Sequence, residues 1–328
     1  MRAAVLTSPK NIEFEERKTK PLEPDEVLVK VLYAGIAGTD LRIYNGTLSA
    51  KLPIVLGQEF VGEIREVGEK VDGFSKGEYV VVEPVLRCGR CEYCRSGKYT
   101  LCENLKVLGV NADGGFAQEI VVPDYALHKI PKNVDIREAA LVTPAAVALY
   151  AINKAKVSFG DKVAVLGGGA IGLSALQFAM ASGCDVVLVE PLEKRREFAE
   201  RVFDVEAISP EEAARAYPNA MDVVIEASGN PLAVNTAIEI AKKGGRIAIA
   251  GAFGKPGNVT LASIVKKDLE MQGVWLYPNL FGKVIEALEE RKIKLAPYIT
   301  HEFKFDDIKT AFEIAQSQDA IKVMIKMG

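Results

Sequence analysis

Val163-Ala-Val-Leu166 runs directly into Gly167-Gly-Gly-Ala-Ile-Gly172, and a second apolar run, Val186-Val-Leu-Val189, ends on Glu190. An apolar run, a glycine turn and a small-residue stretch from Ala170 to Ala181 describe strand, turn and helix, so the segment is expected to be a βαβ unit that binds a dinucleotide. Each glycine has its own task. Gly167 permits the tight turn off the strand, Gly169 lets backbone approach a pyrophosphate, and Gly172 lets the helix lie close on the sheet. The unpaired N–H groups of the helix N-terminus then face the phosphates. Glu190, 18 residues beyond Gly172, would accept from ribose hydroxyls and repel a 2′-phosphate, which favours NAD. Lys194, Arg195 and Arg196 follow closely enough to blunt that preference and keep NADP open; the plainer reading makes them the solvated start of a helix.

On the C-terminal side the same texture continues. Strand-like runs Val223–Glu226 and Arg246–Ala250, with helices near 170–182, 192–203 and 231–243, describe a doubly wound parallel sheet, and Leu269–Leu276 is expected to add a strand. Pro144 stands near the start of a helical run, Ala145–Lys156. Before it the pattern is different. Arg2–Leu6, Ile12–Glu15, Glu26–Ala34, Phe60–Val67, Tyr79–Val82, Phe116–Val122 and Ala126–Ile130 are short β-rich runs separated by Gly, Pro and Asp, which indicates an all-β, barrel-like domain. A helix near Phe305–Gln316 and the terminal run Val323–Lys326 are expected to return to that first domain, leaving a cleft between the lobes for a substrate. The α/β chain therefore divides into 1–146 plus 290–328 and a dinucleotide-binding domain over 147–289.

With 328 residues, 49% of them hydrophobic, the chain has material for two cores. Its 41 basic and 44 acidic residues, net −3, form no basic stripe for nucleic acid or an anionic membrane. No apolar stretch approaches the ~18–20 residues of a membrane span, so a soluble, cytoplasmic protein with a small-molecule substrate is expected. Four of the five cysteines are Cys88, Cys91, Cys94 and Cys102. In a reducing compartment such a cluster indicates one tetrahedral zinc per chain, and four sulfurs leave no open coordination position, so that ion would be structural. Cys184 is expected to pack only.

These residues, together with Gly35-Ile-Ala-Gly-Thr-Asp40, Gly57-Gln-Glu-Phe-Val-Gly62, Gly114-Gly-Phe-Ala-Gln-Glu119 and Asp222-Val-Val-Ile-Glu-Ala-Ser-Gly229, carry a resemblance over essentially the whole chain. It resembles the medium-chain, zinc-type alcohol dehydrogenases, near the threonine and polyol dehydrogenase branch. The resemblance implies a GroES-like β-barrel catalytic domain plus a Rossmann domain, and a homodimer or homotetramer joined through the cofactor domains, with Glu270–Leu276 as the edge. It implies cofactor contacts at Gly167, Gly169, Ala170, Ile171, Gly172, Glu190, Arg195 and Ser228. It also exposes a departure: the family's catalytic-zinc cysteine, histidine and glutamate correspond here to Ala37, Gln58 and Thr143, and its relay histidine to Arg42.

A methyl, an amide and a hydroxyl do not replace thiolate, imidazole and carboxylate, and Glu59 with Asp40 makes a poor zinc site. Without that metal, alcohol oxidation needs another acid or base. Thr39, Arg42 and Glu59, with Tyr44, are the candidates, against the ordinary readings that Thr39 caps a turn beginning at Asp40, Arg42 lies on the surface, Tyr44 packs and Glu59 bridges two loops. Glu59 stands out, because a carboxylate in an emptied, partly apolar site has a raised pKa. His128 and His301 are expected to be structural. Three functions remain: metal-free alcohol or carbonyl chemistry with NAD(P), conjugate reduction of an enone, enoyl or quinone substrate, and a non-catalytic NAD-binding role.

Overall fold

Alternation of inward and outward residues along Glu26-Val-Leu-Val-Lys-Val-Leu-Tyr-Ala-Gly35 makes a ten-residue strand with Val27, Val29 and Val31 fully buried, in a computed structural model that describes Met1–Gly328. The chain forms two units: Met1–Thr143 with Phe281–Glu289 and Tyr298–Gly328, and Pro144–Leu280 with Glu290–Pro297.

In the first unit that strand is the centre of a seven-stranded sheet. Glu59–Val67 pairs antiparallel along one side of it. Its other side is shared, with Glu119–Pro123 along Glu26–Lys30 and the terminal strand Lys322–Lys326 along Tyr33–Gly35. A three-stranded sheet of Arg2–Ser8, Asn11–Glu16 and Ile54–Val55 closes over the same core, in which Phe60, Phe116 and Phe312 are among the largest sealed side chains. The terminal run thus returns to the first domain. The strand expected from Phe116 starts only at Glu119, because Phe116–Gln118 bonds instead to the first strand, through Ala4 N–H to Phe116 O at 2.9 Å and Gln118 N–H to Arg2 O at 3.0 Å.

The second unit is a six-stranded parallel sheet in the spatial order Glu206–Ile208, Asp185–Val189, Lys162–Leu166, Met221–Glu226, Ala241–Ile249, Glu270–Gly273. The order reverses beside Lys162–Leu166, the switch point at which such sheets bind ligands. Helices Ala170–Ala181, Glu193–Phe203 and Pro231–Ile240 alternate with the strands. The last is shorter than expected because Ala241 leaves helical geometry at ψ 134° and begins the next strand. Leu269–Leu276 contributes only Glu270–Gly273, and Leu276 takes a φ of 55°, which a strand does not tolerate. The helix expected over Phe305–Gln316 is a 3-10 turn, Phe305–Asp307, followed by Ile308–Ile314. No helix is long and apolar enough to cross a membrane.

Candidate functional site

The three glycines have three different surroundings. Gly167 turns the chain at φ 108°, where a Cβ would meet Ser228 N at 2.9 Å. A Cβ on Gly172 would overlap the carbonyl oxygen of Gly167, so the helix packs on the turn at backbone contact. Around Gly169 a Cβ would meet nothing within 4 Å. Gly169 is also the N-cap of Ala170–Ala181 and supplies no side-chain cap, so the first N–H groups of the helix, at half-buried Ala170 and Ile171, open onto that space. An open cradle edged by unpaired N–H groups fits a pyrophosphate.

Glu190 directly follows the neighbouring strand and is buried. Its Oε2 accepts from Gly168 N–H at 2.6 Å and its Oε1 from Leu192 N–H at 3.0 Å, which fixes the carboxylate against the glycine loop. Each oxygen retains a lone pair that a ribose hydroxyl can use. Of the three basic residues that follow, Lys194 is exposed, and Arg196 donates to the carbonyls of Glu190 and Pro191 at 2.8 and 2.9 Å, which ties it to backbone. Arg195 is the one whose stem flanks Gly168. Ser228 packs its backbone on Gly167 and gives both its N–H and its hydroxyl to the buried Glu226.

In the first unit, the Sγ atoms of Cys88, Cys91, Cys94 and Cys102 all lie within 4.8 Å of one another, with Cys88 and Cys94 at 4.0 Å. Sulfurs of a tetrahedral zinc site stand about 3.8 Å apart, the edge set by ~2.3 Å bonds, so the tetrad fits the ion. Backbone N–H groups of Arg90 and Cys91 point at Cys88 Sγ and hold its thiol down to about 6, and those of Cys94 and Glu103 serve Cys91. Such donors suit metal-bound thiolates. Beneath the lobe, Glu83 accepts from Tyr99 Oη at 2.7 Å and pairs with His128 Nε2 at 3.0 Å, and the His128 ring lies 5.0 Å from that of Phe281. The His301 ring bonds through Nδ1 to Thr300 Oγ1 at 3.1 Å, in a strand that pairs with Lys322–Lys326. Cys184, with its Sγ on Ser158 O at 3.3 Å, belongs to no cluster.

The third group is a knot of buried charge. Asp40, in the short helix Gly38–Tyr44, is fully buried and accepts from Ala37 N–H at 2.8 Å and Gly57 N–H at 3.0 Å. Glu59 is buried with its Oε2 2.7 Å from the ammonium of Lys322, which also donates to Ile36 O at 3.0 Å. Burial pushes both carboxyls upward, Asp40 to about 7 with the neighbouring Glu59 adding to the effect, while Lys322 opposes the shift at each. Thr143 Oγ1 donates to Gln58 O at a long 3.4 Å.

Of the candidates, Glu59 joins this knot. Thr39 does not cap the turn: the helix begins at Gly38, and Asp40 itself folds back to the N-cap amide of Ala37. Arg42, in the same short helix, is half-buried. Tyr44 packs, its ring 4.8 Å from Phe312. Lys322 is the residue that sequence reasoning missed. The available signal was a lysine two positions before Met324, on the inward face of an apolar strand.

The raised Asp40 has a consequence for stability. A carboxyl with folded pKa near 7 and unfolded value near 3.8 binds its proton more tightly in the folded state, so stability falls as pH rises from about 4 to about 7 and is level above that. Asp40→Asn removes this contribution. Denaturant titrations at pH 5 and 7.5 are expected to show the wild type losing a few kcal/mol relative to Asp40→Asn on going to the higher pH; a constant difference would mean that Asp40 is ionised throughout.

Residues 23–132 match the alcohol dehydrogenase GroES-like domain, and residues 170–290 match the zinc-binding dehydrogenase domain. The sorbitol dehydrogenase of Bacillus subtilis is 32% identical over 343 residues, covering 99% of this chain and 97% of that one. The L-threonine 3-dehydrogenase of Pyrococcus horikoshii is 36% identical over 325 residues, covering 93% and 92%. Among solved structures, an alcohol dehydrogenase from Escherichia coli CFT073 complexed with NADH superposes with a TM-score of 0.93 at 32% identity, over 100% of this chain and 99% of that one.

Proposed function

The chain belongs to the zinc-type, medium-chain alcohol dehydrogenase family of NAD(P)-dependent oxidoreductases, and from that premise we propose that it moves hydride between NAD(H) and an alcohol or carbonyl carbon of a small polyol-like molecule, with one structural zinc and no catalytic one. The observation that carries the metal-free reading is the ion pair. Glu59, the one carboxylate beside the replaced ligand positions that accepts no backbone N–H, is held by the Lys322 ammonium at 2.7 Å. Asp40 is committed to two backbone amides, and Ala37, Gln58 and Thr143 bring a methyl, an amide and a hydroxyl. This donor set does not fit zinc, and a lysine cation already balances its charge.

When bound, the nicotinamide supplies the hydride acceptor or donor. The chain's own part begins with the Gly169 cradle and the N–H groups of Ala170 and Ile171 for the pyrophosphate, with Gly167 and Gly172 shaping the turn. Glu190 receives the ribose hydroxyls and disfavours a 2′-phosphate, Arg195 flanks the loop, and Ser228 closes its far side. Glu59 takes the hydroxyl proton, and Thr39 and Arg42 are the further candidates for orienting the substrate. Cys88, Cys91, Cys94 and Cys102 hold the structural ion. A homodimer or homotetramer joined through the cofactor-binding units accords with the outer strand Glu270–Gly273 and with Trp275, which is 60% exposed. The unpaired thiols suit a reducing, cytoplasmic setting.

The test is NAD-linked oxidation of a polyol panel before and after chelation that leaves one zinc per chain. Activity that survives, with NAD preferred over NADP, is expected. Inactivation by the chelator would return the chain to ordinary zinc chemistry. Reduction of enones in place of polyol oxidation would make it a conjugate reductase, and cofactor binding without either reaction would make it a non-catalytic binder.

A further inference from the structure

Strands two apart in a sheet lie about 9.6 Å from each other, so their side chains meet only where the strand between them leaves room. Glu59 and Lys322 lie on the two strands flanking Glu26–Gly35, and the residue between them is Gly35, which pairs with Glu59 on one side and Met324 on the other. A Cβ at Gly35 would stand 2.9 Å from Glu59 Oε2 and 3.4 Å from Lys322 Cδ. The missing side chain is the gap through which lysine reaches carboxylate. The ammonium bonds to Ile36 O and Glu59 Oε2, neighbours of Ala37 and Gln58, and so sits among the replaced ligand positions. Glu59 Oε1 accepts no hydrogen bond and is not among the sealed-off polar atoms, so it is open to accept a proton.

Resting on the metal-free reading above, we propose that Lys322 is the positioning residue for Glu59: passed over the gap at Gly35, its ammonium fixes Oε2 and keeps the carboxylate ionised, so that Oε1 serves as the base for substrate oxidation. In that step the substrate O–H bond breaks and its proton forms a bond to Glu59 Oε1. The carbinol C–H bond breaks with its electron pair, which leaves as hydride to the oxidised nicotinamide, and the C–O bond becomes C=O. The charged groups facing Glu59 are Lys322, from the terminal strand, and Asp40, from the helix Gly38–Tyr44. The lysine favours the ionised carboxylate, and the charge on Glu59 in turn raises the carboxyl of Asp40.

The experiment is the pH dependence of kcat/KM for polyol oxidation in the wild type, Lys322→Met and Lys322→Arg, with NADH binding and thermal melting as controls on folding. Lys322→Met should move the rising limb to higher pH by a unit or more and lower kcat/KM at neutral pH about tenfold. Lys322→Arg should restore the limb, and NADH affinity should be the same in all three. A second readout needs no turnover: the 13C shift of the Glu59 carboxyl, assigned with Glu59→Gln, should titrate at higher pH in Lys322→Met than in the wild type. An unmoved limb or an unmoved titration in folded Lys322→Met overturns this inference alone. A wild type inactivated by chelation that leaves its one structural zinc in place overturns the metal-free reading itself, and does so before any variant is made.

Discussion

Gly172→Ala should destabilise the parallel-sheet unit by roughly 2–5 kcal/mol, while Gly169→Ala, three residues away, should leave stability within about 1 kcal/mol of the wild type. At Gly172 the new methyl has nowhere to go, because the space is filled by the carbonyl oxygen of Gly167. Backbone cannot step aside as a flexible side chain does, so either the turn opens or the helix lifts from Lys162–Leu166. Gly169 has φ −86° and ψ −179°, extended geometry that alanine adopts, with open space ahead of it. Its methyl would enter the cradle proposed for the pyrophosphate. NADH titration of Gly169→Ala is therefore expected to give at least tenfold weaker binding in a protein that melts normally. Equal melting of the two variants would refute the packing account, and undiminished NADH affinity in Gly169→Ala would refute the cradle.

Cys94→Ser should empty the four-thiol site and open its lobe. The segment holds only short elements, Glu92–Arg95 and the 3-10 turn Tyr99–Leu101, and of Cys88–Cys102 only Tyr99, Thr100 and Cys102 are buried. Such a segment has too little apolar surface to order itself. Small peptides gain about 10–16 kcal/mol of apparent free energy from binding zinc through comparable ligands, and here that energy would hold a loop rather than a whole domain. The first unit keeps its core around Phe60 and Phe116, so the expected result is local. Zinc content should fall to near zero, and trypsin should cut at the exposed Arg90, Arg95 or Lys98 while the rest of the chain resists. Wild-type protein should become sensitive at the same bonds only after zinc is stripped. A variant as resistant as the wild type would mean that the lobe is ordered without its ion.

Features that depend on local spacing could be read before the structure was known. The glycine turn and the cysteine tetrad are each set by residues a few positions apart, and the parallel sheet follows from strands and helices in alternation. Boundaries were less legible, because they depend on partners: Phe116–Gln118 has strand-like composition yet bonds to the first strand, and Ala241 leaves its helix to join a sheet. The Glu59–Lys322 pair was not legible at all. Its partners are 263 residues apart, and they meet only because the last strand inserts beside Tyr33–Gly35. Two weak signs existed, a glycine inside a strand, which marks a close approach, and a lysine on an inward face. Asp40 was read as a carboxylate near an emptied metal site, whereas its oxygens are spent on the amides of Ala37 and Gly57.

The proposal that the positions around Glu59 hold the Lys322 ammonium and no zinc rests on the ion pair between the two side chains. Counting zinc by elemental mass spectrometry on protein saturated with zinc and then gel-filtered tests it most directly. One zinc per chain in the wild type, and none in Cys94→Ser, is the predicted result; two per chain, with one retained in Cys94→Ser, would contradict it.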